Sequence, residues 1–352
     1  MDQQPTPTAP DPLQSAPKNM FRNRMMILGG IVALLLIAGG AAFAFFHATK
    51  PEKVYRVGIL SALAYFDPAI DGFKEKMAEL GYVEGKNITY EIVRGQAPVG
   101  NQALVKKLVD DKVDLMVVYP TEATLEAQAG SKGSGIPIIS LAALVEGTGI
   151  IDSIQHPGHD TTGVRFPVPE AAAKRFEILH EITPNAKTFL VPYLKDYPTV
   201  PVGLEVVRPL AQAAGVTLIE QPFSAPPEVA AWIAAHPKAK GVDAILTIPE
   251  PMSILPDFSD QLYAYADENS LPVAGPVIGQ DASGAVFSLI PDSKDFGTLA
   301  APLADKIFKG TSAGEIPIVT PLSKFDLNYK AIERLHLTVS ESLLSTADVI
   351  VH

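Results

Sequence analysis

From Val54 onward the chain alternates short, continuous apolar runs with segments of helical length and period, and that alternation limits its fold more than any other feature. The runs Val54 to Leu60, Ile88 to Val93, Leu115 to Tyr119 and Ile136 to Leu141 read as strands, as does Thr162 to Phe166 after a Gly-rich loop. Helices are predicted at Pro68 to Leu80, Thr121 to Ser131 and Pro169 to Ile182. A second series follows, with strands at Thr188 to Val191, Val216 to Glu220, Ala244 to Ile248, Pro272 to Ala274 and Gly284 to Ser288. Its helices fall at Val200 to Ala214, Glu228 to His236 and Ser253 to Asn269. Strands that lack polar alternation are covered on both faces, which implies parallel sheets between layers of helices. Two such series, in roughly 300 residues, suffice for two doubly wound α/β lobes with separate cores. The chain closes with a helix from Asp292 to Lys309, extended pieces at Pro317 to Thr320 and Phe325 to Asn328, and a short helix at Tyr329 to Arg334.

The segment before Val54 has a different character. Residues 1–24 form a Pro-rich, polar tail with too few apolar groups to fold, expected to be disordered and cytoplasmic. Residues 25–46, Met25 to Phe46, contain no charge. About 20 apolar residues cross a hydrocarbon core, so this run predicts one transmembrane helix. Lys18, Arg22 and Arg24 precede it and hold the tail inside, leaving the folded region extracytoplasmic on a single-pass anchor. A cleaved signal segment is the alternative, with Ala42-Phe43-Ala44 as a peptidase site and a secreted product. The chain has no cysteine and a formal net charge of −11. The first excludes disulfides, thiol nucleophiles and a lipid-modified cysteine. The second argues against a nucleic-acid partner, which would require a clustered basic face.

Between the first helix and second strand stands Gly81-Tyr82-Val83-Glu84-Gly85-Lys86-Asn87. Gly81 suits a left-handed helix cap, and Gly85 and Asn87 suit the turn through their tolerance of positive φ. Helix, this heptapeptide and a β-rich run together resemble the ABC-transporter substrate-binding protein family whose better-known members take up tryptophan and other aromatic amino acids. The resemblance runs from about Tyr55 to Leu337. It includes Val113-Asp114-Leu115, Ile136-Pro137-Ile138-Ile139, Gly241-Val242-Asp243-Ala244-Ile245, Ile307-Phe308-Lys309-Gly310 and Ile316-Pro317. It implies a type I periplasmic-binding-protein-like fold with a multi-strand hinge. Lobe 1 would comprise residues 54–164 and 291–317, lobe 2 and the hinge return residues 165–290 and 318–337, and residues 338–352 a C-terminal tail. It also implies a monomer that hands a small solute to ABC permease subunits, with no cofactor and no catalysis. Three loops depart from the family pattern, at Pro120-Thr121, Gly158-His159-Asp160 and Pro249-Glu250-Pro251.

Ligands of doubly wound sheets lie beyond the carboxyl ends of the strands. Ser61, Ala62, Tyr65 and Phe66 follow the first strand, Tyr119 and Thr121 the third, and Ser140 and Ala142 end the fourth. Ser61, Thr121 and Ser140 are candidates for a solute carboxylate, and Thr121 equally for a helix N-cap. Tyr193 and Tyr197 occupy a loop expected at the cleft or packed on the surface. Glu250 stands where an acid can pair with an ammonium group or remain solvated. His156 and His159 flank a Pro-Gly turn without an evident third ligand, so no metal is expected. No nucleophile elbow, phosphate loop or dinucleotide loop follows a strand. The expected role is therefore the extracytoplasmic binding component of an ABC importer. A membrane-anchored solute sensor acting on a separate partner protein and an extracytoplasmic α/β enzyme are the alternatives.

Overall fold

Apolar runs of five to seven residues supply strands that are buried nearly throughout, as in Leu115–Tyr119 and Ile138–Ala143. A computed structural model describes residue 1 and residues 53–96, 100–279 and 282–352. The expected tail (apart from Met1) and the run from Met25 to Phe46 lie outside these. Among the described residues no helix is long and apolar enough to cross a membrane. The chain divides into Met1–Lys53 and Val54–His352, and the second unit contains both sheets.

The first lobe begins β1 (Tyr55–Ser61), α1 (Pro68–Glu79), β2 (Ile88–Arg94), α2 (Gln102–Asp110), β3 (Leu115–Tyr119), α3 (Thr121–Gly130), β4 (Ile138–Ala143), β5 (Thr161–Arg165). Its sheet has the order β2-β1-β3-β4-β5 and is parallel throughout. Helix α2 was not among the predicted elements, although Val105 and Leu108 bury one of its faces. The turn after α1 has Gly81 and Gly85 at positive φ, as expected. Asn87 acts differently: its side chain accepts from the Val83 N–H at 2.7 Å and donates to the Gly81 carbonyl at 3.0 Å, and it does not adopt positive φ.

The second lobe comprises α4 (Val168–Ile182), β6 (Thr188–Leu194), α5 (Thr199–Ala214), β7 (Thr217–Phe223), α6 (Pro226–Ala235), β8 (Ala244–Leu246), α7 (Pro256–Glu268), β9 (Val273–Gly275) and β10 (Phe287–Pro291). The chain then gives α8 (Ser293–Phe308), β11 (Ser323–Asn328), α9 (Tyr329–Arg334), α10 (Glu341–Thr346) and β12 (Val349–Val351). The second sheet has the order β12-β11-β10-β9-β8-β6-β7, with β11 antiparallel to β10 and β12 parallel to β11. Residues 338–352, expected as a tail, thus supply a helix and an edge strand.

Helix α8 departs from the second sheet and packs on α1 beside the first. Its approach is so close that a Cβ on Gly297 would lie 1.8 Å from the Ala69 carbonyl oxygen, and one on Gly72 would lie 2.2 Å from that of Lys294. No side chain larger than hydrogen fits at either position. The chain therefore passes between the lobes three times: after β5, after β10, and after Val319, which bridges to Val164 before β11 begins. Arg165 ties these segments together. Its Nε donates to Thr320 Oγ1 at 2.9 Å, its Nη1 to Glu146 at 2.5 Å, and its guanidinium also pairs with Glu170 at the start of α4.

Candidate functional site

The carboxyl ends of both sheets face one another across a cavity with about 450 Å³ of empty space, counting its open mouth. Leu63, Phe66, Pro120, Thr121 and Ala142 line it from the first lobe, and Phe166 from the crossing after β5. The second lobe contributes Val168, Arg175, Tyr197, Thr199, Glu250 and Ser253, among others. The wall is mainly apolar, with a few polar groups converging on it, as small-molecule sites are.

Of the expected residues, Phe66, Thr121, Ala142, Tyr197 and Glu250 meet at this cavity. Ala142 reaches it through a bulge in β4, with φ at 48°. Thr121 does not cap its helix. It is the first helical residue after Pro120, and its hydroxyl accepts the Leu144 N–H at 3.0 Å. Ser61, Ala62, Tyr65, Tyr119, Ser140 and Tyr193 are not part of the lining. Ser61 and Tyr119 donate to Asp67 Oδ1 at 2.5 and 3.0 Å, and Ser140 exchanges a hydrogen bond with Thr124 at 3.0 Å. Tyr193 lies not in a loop but in β6, which continues to Leu194, and it lines an outer groove with Glu205 and Arg208. His156 and His159 face different acids, Glu315 at 3.7 Å and Asp152 at 3.0 Å.

Glu250 is buried, and Oε2 accepts the backbone N–H groups of Leu194 at 3.2 Å and Met252 at 2.9 Å. Oε1 is buried with no partner. Burial pushes its carboxyl up to about 8 despite these hydrogen bonds and the nearby Arg175. A buried polar group left without a partner costs about 1–3 kcal/mol, a cost that a polar group arriving in the cavity removes.

Glu122 and Tyr197 join the lobes directly. The Tyr197 hydroxyl reaches both carboxylate oxygens of Glu122, at 3.2 and 3.1 Å. Burial raises the Glu122 carboxyl to about 7 and lifts the Tyr197 hydroxyl well above its usual range.

Arg175 escaped the sequence reading altogether. It sits on the buried face of α4 with Ala171, Ala172, Phe176 and Leu179, where the helical period calls for an apolar residue. A charged residue in phase with a buried stripe was the signal.

Two α/β lobes with parallel central strands, three crossings and a cleft between strand ends define a solute-binding class of architecture, the type I periplasmic-binding-protein-like fold. Residues 60–351 match the family model of ABC transporter substrate-binding proteins, and the chain belongs to that family. It is 26% identical over 309 residues to the tyrosine-binding protein of Clostridioides difficile, an alignment that takes in 84% of this chain and 86% of that one. Among solved structures, a Streptococcus pneumoniae ABC domain in complex with L-Trp superposes with a TM-score of 0.74 at 21% identity, covering 85% of this chain and 100% of that one. A conserved domain protein from Vibrio cholerae gives 0.73 at 22%, with the same coverage. A ligand-free, open substrate-binding protein from Clostridium difficile gives 0.65 at 22%, covering 85% and 99%.

Proposed function

We propose that this protein is the extracytoplasmic binding component of an ABC importer, held to the membrane by its Met25 to Phe46 segment, and that it captures an aromatic amino acid between its lobes. One observation carries the reading: the unpartnered Oε1 of Glu250, buried at a mainly apolar cavity between the two sheets. An ammonium group favours the ionised carboxylate and donates to the oxygen that is then left open, and the charge-assisted bond so formed is stronger than one between neutral groups. Phe66, Phe166 and Leu63 offer the side chain of the solute an apolar and aromatic wall. The tyrosine-binding relative and the L-Trp complex support the solute class. The family's role as a transporter component supports ABC permease subunits as the partners of a monomer.

Capture follows from differential affinity, because contacts from both lobes exist together only in the closed form. Calorimetric titration of the full chain with tyrosine, tryptophan, a sugar and an aliphatic amino acid tests the proposal. Tightest binding of an aromatic amino acid is expected. Absence of binding by either aromatic amino acid would sink it.

A further inference from the structure

We infer that Arg175 reads the carboxylate of the captured solute, so that the cleft selects an intact amino acid and rejects its decarboxylated amine. The inference rests on the amino-acid reading above and adds to it a residue and a chemical requirement.

Arg175 is 1% exposed and lines the cavity from α4. Its hydrogen bonds run to neutral oxygens. Nε and Nη2 donate to the Leu289 carbonyl at 3.3 and 3.0 Å, and Nη1 donates to the Thr247 carbonyl at 3.2 Å and hydroxyl at 3.4 Å. Nη2 carries two hydrogens and makes one of these bonds, so one N–H remains unspent. Among the described residues no carboxylate forms an ion pair with it.

A buried guanidinium without a counter-ion is costly. Burial lowers this one only to about 10, which leaves it charged at neutral pH. The neighbouring acid, Glu250, does not neutralise it there, because its own carboxyl is held protonated to about 8. The cavity lining thus holds a buried guanidinium that is hydrogen-bonded to neutral oxygens and paired with no carboxylate among the described residues.

A carboxylate satisfies both needs, the missing charge and the spare N–H, and the planar guanidinium fork suits its shape. Two rival donors in the first lobe are engaged elsewhere, Ser61 on Asp67 and Ser140 with Thr124, whereas Thr121, whose hydroxyl accepts the Leu144 N–H, is a neutral group that brings no charge. Arg175 and Glu250 both belong to the second lobe, so the head group of an amino acid, cation and anion together, is matched on one rigid body. A ligand ammonium also converts Glu250 to its ionised form, and the four charges then balance in pairs.

The test is calorimetric titration of the detergent-solubilised full chain with tyrosine, tryptophan, tyramine and tryptamine, for the natural sequence and for Arg175→Gln. The natural protein is expected to prefer each amino acid over its amine by roughly 100-fold or more, since a buried polar group left unpaired penalises the wrong ligand heavily. Arg175→Gln is expected to weaken the amino acids and bring that ratio close to one. Amines binding within about threefold of the amino acids would overturn the role of Arg175 while leaving the amino-acid reading in place. Discrimination retained in Arg175→Gln overturns it equally. Failure of the natural protein to bind any of the four removes the reading itself and this inference with it. If Arg175→Gln does not fold, the amino acid-to-amine ratio of the natural protein decides alone.

Discussion

The two lobes share an architecture but face the cleft with different chemistry. The first presents Leu63, Phe66, Pro120 and Ala142, with Thr121 as its main polar lining group, whereas the second presents Arg175, Glu250, Tyr197, Thr199 and Ser253. The charged groups are concentrated on the second lobe, while apolar groups line the cavity from both. On the proposed reading, an encounter with the second lobe satisfies the charges of an amino acid before closure, and closure then removes its apolar part from water. The Glu122–Tyr197 contact is the exception, since there the first lobe supplies an acid and the second lobe the hydroxyl.

This asymmetry can be broken at several points. Removing the buried acid of the second lobe should have the largest effect on binding. Glu250→Gln is expected to weaken aromatic amino acids by about 1.5–3 kcal/mol, as for loss of a hydrogen bond to a charged group, measured by calorimetry. An unchanged affinity would move the ammonium site elsewhere. On the other lobe, Gly297→Ala forces a methyl into the Ala69 backbone. A loss of about 1–3 kcal/mol of stability is expected, typical of overpacking, read from urea unfolding. A variant as stable as the natural protein would show that α1 and α8 are not in tight contact.

The direct contact between the lobes should matter less. Tyr197→Phe removes the hydroxyl facing Glu122 and is expected to cost about 1 kcal/mol of ligand affinity, the worth of one ordinary hydrogen bond. The same acid gives a pH dependence of definite sign. The folded Glu122 carboxyl sits near 7, above the value of 4.5 for an unperturbed glutamate. The folded protein therefore holds more protons between those values, and stability must fall as pH rises through them. Thermal unfolding from pH 5 to 8 should show a decline, and Glu122→Gln should flatten part of it, with Glu250 supplying the remainder. A slope identical in the variant would exclude Glu122. The smallest effect is predicted for Tyr193→Phe, which alters only the outer groove and should leave affinity within about 0.5 kcal/mol of the natural value.

The scaffold was largely legible because strand and helix periods are local properties, and most elements begin within a few residues of their expected positions. Helix α2 went unread: Leu104, Val105 and Leu108 offer only a short stripe among charged residues. The site was legible by loop but not by side-chain direction. Three further residues of strand, Pro192 to Leu194, were enough to turn Tyr193 away, and Ser61, Tyr119 and Arg94 were drawn to Asp67 by a carboxylate that no local pattern ties to them. Glu250 lies in a loop expected at the cleft, but its spare oxygen is visible only once Leu194 and Met252 have claimed the other. Arg175 was missed because reading a helix by its apolar stripe passes over the one member of that stripe that is not apolar.

The packing of α8 on α1 also orders events during biogenesis. Chains emerge from the ribosome, or through an export channel, beginning at the amino terminus, and domains generally fold as units. Here the first lobe owes part of its core to Phe296, Ala300, Leu303 and Ala304, which come after nearly all of the second lobe in the chain. The amino-terminal lobe therefore cannot be completed while the carboxy-terminal one is still being delivered. Until residue 308 has passed, the groove of α1 that awaits α8 stays open, and a chaperone acting on this protein would find its substrate there.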